Sequence, residues 1–213
     1  MVNNMRKLCV LIVLLLQLEP AQANSYDDLL TAIKLNNITA AEELFSKGMD
    51  VNTTDPGANT MLMLAVRENH LELANRLLDR KAKVGARNAY GETALMFAAA
   101  RGNLEMAKLL VRHGASVNQT GWTPLIYAAW QGRTDAVKYL LEQGAEIDGL
   151  APNGISALMM AARGGHLETV KLLLWEVADP NIKSRSGDTA IVWAQKTGNT
   201  DIVELLKRAG AKE

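Results

Sequence analysis

Apolar and small residues recur along this chain in one fixed phrase, not at a single helical or strand period. Aligned at a Thr or Ser, the stretches "NTMLMLAVRENHLELANRLLDRKAKV", "ETALMFAAARGNLEMAKLLVRHGASV", "WTPLIYAAWQGRTDAVKYLLEQGAEI", "ISALMMAARGGHLETVKLLLWEVADP" and "DTAIVWAQKTGNTDIVELLKRAGAKE" follow one template. Their first apolar anchors, Leu62, Leu95, Leu125, Leu158 and Ile191, are spaced by 33, 30, 33 and 33 residues. A period of this length marks stacked supersecondary units, none of which buries its apolar side alone.

Each unit predicts a helical hairpin. Thr60, Thr93, Thr123, Ser156 and Thr189 stand where a hydroxyl caps a helix start. Pro124 follows one of them at the first helical position, where a missing N–H is harmless. Ala65, Ala98, Ala128, Ala161 and Ala194 keep the first helix thin, so neighbouring units can approach. Gly102, Gly132, Gly165 and Gly198 end it. A second helix follows with anchors Leu77, Leu110, Leu140, Leu173 and Leu206, and Gly114, Gly144 and Gly210 suit the left-handed residue that closes it.

The phrases "TPLIYAA", "GGHLETVKLLL" and "HGASVN" resemble the ankyrin repeat, a β-turn finger followed by two antiparallel helices. The resemblance recurs five times in register from Pro56 to Glu213. It implies an all-α repeat solenoid with full repeats at 53–85, 86–118, 119–148, 149–181 and 182–213. A degenerate N-terminal capping repeat is expected at 24–52, and the polar Lys207 marks the last unit as the other cap. Three departures matter. The histidine of the family phrase is replaced by Met63, Met96, Ile126, Met159 and Val192, so a polar link between units is lost, and the methionines are open to oxidation. Lys81 and Val177 replace a closing glycine, and the helix end at the β-branched Val177 is expected to deviate. The segment Asn118 to Gly121 is three residues short, which predicts a clipped finger.

Residues 1–23 form a different object. Arg6 and Lys7 precede an apolar run from Leu8 to Leu16, and Ala-Gln-Ala closes the segment at 21–23. This is the layout of a secretory signal peptide, with cleavage expected after Ala23. The apolar run is about half of the ~20 residues that span a bilayer, so no stable membrane insertion is expected after cleavage. Cys9, the single cysteine of the chain, leaves with the leader, and so do Arg6, Lys7 and Glu19. The mature chain then has 21 basic and 22 acidic residues in place of 23 each, and no disulfide.

Charge and chemistry narrow the function. Basic residues are scattered among acids without a stripe, which argues against nucleic acid. His70 and His166 occupy one template position three units apart and cannot share a metal; both read as structural residues at a helix start. Glu72, Glu105 and Glu168 also recur at one position and read as solvated first-turn acids. No serine has a positioned base. The reading is therefore no enzyme, no cofactor and no metal.

In the family that the chain resembles, finger tips and exposed ends of first helices line a concave face that binds proteins. Carried over by position, finger tips include Asp55, Tyr90, Trp122, Ile155 and Asp188, and helix ends include Arg67, Glu68, Arg101, Trp130, Gln131, Arg163 and Lys196. The partner-binding candidates are Tyr90, Arg101, Trp122, Trp130, Gln131, Arg163 and Lys196. Trp122 has a second reading, folded back as local packing over the short finger. Tyr127 and Trp193 share an apolar template position with Leu64, Phe97 and Met160 and are expected to pack in the core. Trp175 is read as structural or as a surface accident. The resemblance implies a monomeric interaction scaffold exported to the bacterial periplasm, with secretion as the alternative destination. Neutralising a periplasmic toxin, as an immunity protein does, or protecting against oxidative stress are alternative roles; a small-ligand pocket beside Trp122 is a further one.

Overall fold

The computed structural model describes residues 19–212, with side chains from Ser25 onward. The expected leader lies for the most part outside the described residues. Among the described residues twelve helices form six hairpins: α1 (Glu19–Lys34) with α2 (Ile38–Ser46), α3 (Met61–Arg67) with α4 (Leu71–Asp79), α5 (Ala94–Arg101) with α6 (Leu104–Arg112), α7 (Pro124–Trp130) with α8 (Thr134–Glu142), α9 (Ala157–Gly164) with α10 (Leu167–Trp175), and α11 (Ala190–Lys196) with α12 (Thr200–Arg208). Among the described residues there is no β-strand, only an isolated bridge between Thr54 and Thr60. Helices of seven to nine residues are too short to persist alone in water. Stacking holds them, and one apolar core runs through every unit. The first helices of successive hairpins pack more extensively on each other than the second helices do. The buried Ala98, Ala128, Ala161 and Ala194 allow that approach.

The helix starts follow the sequence with two exceptions. Thr60, Thr123 and Ser156 accept from the backbone N–H of Met63, Ile126 and Met159 at 3.2–3.3 Å. The buried Thr93 hydroxyl has no partner; the Thr93 N–H instead donates to the Met96 sulfur at 3.3 Å. Thr189 donates to the carbonyl of Lys212 at 3.1 Å in place of capping α11. Val177 does not deviate: it takes the left-handed angle itself, at φ 68°, as Lys81 does at 66°. The bonds from Val177 N–H to Leu174 O and from Ala178 N–H to Leu173 O reproduce those at Gly114 and Ala115. Stack continuity outweighs local strain.

Polar links between units move to new positions. At the start of the second helix, His70 Nε2 meets Lys34 O at 3.2 Å, Arg133 Nε donates to Ala100 O at 3.1 Å, and His166 Nε2 meets Trp130 O at 2.8 Å. Asn199 donates to Ala162 O at 3.0 Å from the same position. These bonds replace the lost histidine link, and the two histidines have the structural role that their shared position implies. His166 also fixes glycine at 132 and 164, since a Cβ on either would collide with its imidazole. A second ladder joins the loops after the second helices. The side chains of Asn52, Asn118, Asp148 and Asn181 accept from the N–H of Lys83, Glu146, Asp179 and Lys212 at 2.8–3.0 Å. Gly85 holds the equivalent place between Asn52 and Asn118 and has no side chain to contribute. Met61, Met63, Met96, Met106 and Met159 are at most 1% exposed, so packing shields the methionines that the sequence left open to oxidation.

Candidate docking face

Four fingers close through a bond from residue four to residue one: Ala58 to Asp55, Gly91 to Asn88, Gly154 to Ala151 and Gly187 to Ser184, at 2.8–2.9 Å. Neighbouring fingers touch through Ala89 N–H to Gly57 O at 3.0 Å and Arg185 N–H to Asn153 O at 2.9 Å. The third finger is clipped, as its length predicts. In place of a backbone turn bond, the Gln119 side chain donates to Trp122 O at 3.1 Å, and Arg87 reaches across to Thr120 O at 3.2 Å.

That clipped finger delivers Trp122 against α7. Trp122 is half-buried, packs on the core edge and meets Tyr127 edge-on, with ring centroids 6.1 Å apart at 82°. Tyr127 meets Trp130 the same way, at 6.3 Å and 72°. Residues 127 and 130 lie one turn apart on one helix face. Edge-on pairs contribute about 0.5–1.5 kcal/mol each beyond their burial, so the three rings form a preset platform. His166 holds the backbone beneath Trp130, which is 46% exposed.

Tyr127 differs from its core expectation. It is only half-buried, and its hydroxyl donates to Glu92 Oε1 of the preceding unit at 2.8 Å. Burial, then that bond and the Glu92 charge, push its pKa well above the ordinary phenol value. Trp193 and Phe97 are half-buried as well, whereas Leu64 and Met160 are buried. The position follows the helix face that borders the groove, so large rings at it overhang the core edge. Trp193 donates from Nε1 to Asp188 Oδ2 at 3.2 Å, and the Arg163 guanidinium sits 5.4 Å from its ring centroid. Lys196 pairs with Asp188 at 2.8 Å. That bond to Lys196, with the Trp193 and Ser186 bonds beside it, holds the Asp188 carboxyl below the usual carboxylate range against the opposing effect of burial. Arg163, Asp188, Trp193, Lys196 and Thr197 line an open hollow of about 350 Å³.

Tyr90 is 81% exposed at the tip of the second finger, and Arg101, Gln131, Arg163 and Lys196 are exposed at helix ends. Ile155 is buried, so that finger position offers no contact surface. Trp175, on a second helix, is 83% exposed. Sequence reasoning missed Tyr127 and Trp193 as surface residues. A large ring with a polar handle at a position elsewhere held by Leu or Met was the available signal.

Short helical hairpins stacked in register, with turn fingers at one edge, define a repeat solenoid whose variable face is available to partners. The chain belongs to the ankyrin-repeat family: the family model described as ankyrin repeats in three copies matches residues 3–88, 62–150 and 146–212. It is similar to the crystal structure of an ankyrin repeat domain from Acinetobacter baumannii AYE, at 29% identity and TM-score 0.74, over 85% of this chain and 97% of that one. The human ASB11 ankyrin repeat domain shares the fold at 24% identity and TM-score 0.77, over 85% of this chain and 83% of that one. No curated protein sequence matches. Ankyrin-repeat domains generally mediate protein–protein interaction, and no enzyme family is indicated.

Proposed function

We propose that this chain is a non-catalytic scaffold, exported to the bacterial envelope, that docks a partner protein on the face formed by its fingers and first helices. The observation that carries the reading is the preset Trp122–Tyr127–Trp130 platform with exposed arginines on both sides. Tryptophan, tyrosine and arginine clustered near the middle of a face are the residue types that dominate binding energy at protein interfaces. Export rests on the layout of residues 1–23. Cleavage after Ala23 leaves the buried packing residues of α1, Leu29, Ala32 and Ile33, in the mature chain.

The test is fractionation of bacteria that express the tagged chain, N-terminal sequencing of the product, and cross-linked capture from the envelope with wild type and Trp130→Ala. The expected product starts at Asn24 in the periplasmic fraction. The expected loss of the captured partner on Trp130→Ala is at least about 30-fold in affinity, a hot-spot magnitude. The identity of the partner separates toxin neutralisation from stress protection. An unprocessed or cytosolic chain contradicts export. A partner set unchanged by Trp130→Ala combined with Arg101→Glu and Arg163→Glu contradicts the docking face.

A further inference from the structure

We propose that the docking face selects an acidic segment: an extended stretch of the partner in which an apolar side chain rests on the aromatic platform and carboxylates on either side meet Arg101 and Arg163. The proposal rests on the docking reading above and adds the chemistry of the occupant.

The argument is an imbalance of satisfied charge. The whole chain is neutral, so an excess of either sign on one face is a local property. Among the described residues, the acids of this face other than Asp135 are already engaged. Glu92 accepts the Tyr127 hydroxyl, and Asp188 accepts from Trp193 and Lys196. Glu68 pairs with Arg67 at 3.7 Å. The cations are not matched in the same way. Arg101 makes no ion pair or hydrogen bond among the described residues, and Arg163 has only the Trp193 ring beneath it. Both are exposed, at the ends of α5 and α9, one unit to each side of Trp130 at the end of α7. Beside Arg101, the guanidinium of Arg133 joins the lining of an open hollow of about 370 Å³, in which Asp135 is the one acid. Beside Arg163, the hollow over Trp193 has its acid, Asp188, tied down by Lys196.

A guanidinium stacked on an indole keeps its edge N–H groups free and oriented, which suits bidentate capture of a carboxylate. Arg163 held in this way on one flank and the exposed Arg101 on the other let the apolar platform read a pattern of acid, apolar, acid. Two unpaired cations on a chain of zero net charge do not supply the continuous basic track that a nucleic-acid strand follows.

The test is selection of displayed random 12-residue peptides on the full mature chain, repeated on Arg101→Glu/Arg163→Glu and on Trp130→Ala. A single-stranded 20-nucleotide DNA is titrated in parallel. Selected peptides are expected to be enriched in Asp and Glu around an aromatic or aliphatic residue. Their affinity is expected to fall at least about tenfold for the double arginine variant, and to fall with added salt. Selection on that variant is expected to turn toward Lys and Arg. Both arginines are exposed, so unchanged thermal melting separates loss of binding from loss of fold. Peptides that depend on Trp130 but show no acidic enrichment overturn this proposal and leave the docking reading standing. Peptides indifferent to Trp130→Ala overturn the docking reading itself. DNA that binds as tightly as the selected peptides assigns the face to the other class of macromolecule and overturns the proposal.

Discussion

Val177 carries the backbone angle that glycine carries at the ends of neighbouring second helices. A β-branched side chain at positive φ costs on the order of 1–3 kcal/mol, and here the side chain is 82% exposed and packs little in return. Val177→Gly is therefore expected to stabilise the fold by about 1 kcal/mol, read as a higher urea midpoint at unchanged slope. Asp188 makes the opposite kind of statement. Its folded pKa is depressed, chiefly by the bond from Lys196. Its contribution is thus complete above the unfolded value of about 3.9 and is lost as pH falls through the lower folded value. Trp193 emission is expected to change as pH is lowered below about 4, and Asp188→Asn is expected to remove that transition. A transition that survives in the variant assigns it to another carboxylate.

At the scale of the hairpin, the structure depends on bonds that reach from one unit to the next. The loop ladder of Asn52, Asn118, Asp148 and Asn181 skips Gly85. A Cβ at Gly85 meets nothing within 4 Å, and its φ is not in the left-handed region. By register, an asparagine there faces the N–H of Ser116. Gly85→Asn is expected to add about 1 kcal/mol from one hydrogen bond and a stiffer unfolded chain, measured by thermal or urea unfolding. The same gain from Gly85→Ala alone points to the chain effect without the bond. His166 shows the functional side of such links. It seats between Gly132 and Gly164 and holds the carbonyl of Trp130, so the next unit positions the platform of this one.

Across the whole molecule, the array is close to one-dimensional. Leu110, Leu140 and Leu206 are all fully buried, but the inner two lie in units packed on both sides. Leu110→Ala and Leu140→Ala are expected to cost roughly 2–5 kcal/mol, and Leu206→Ala less, because among the described residues its unit packs against one neighbour only. Equal losses in urea titrations contradict a stack and favour a single cooperative core.

The sequence by itself determined the repeat, its period, the clipped third finger and the structural role of His70 and His166. These are written in residues that recur at fixed offsets, and a period is legible in one dimension. Only the tertiary structure decided which way half-buried rings face. Tyr127 and Trp193 share a template position with the buried Leu64 and Met160, and an apolar pattern reads core and groove edge alike. It also decided the links from His166 to Trp130 and from Tyr127 to Glu92, which join residues 36 and 35 apart. Pairings at that distance exist only once the units have stacked, and stacking is also what holds Val177 in a conformation its own side chain opposes.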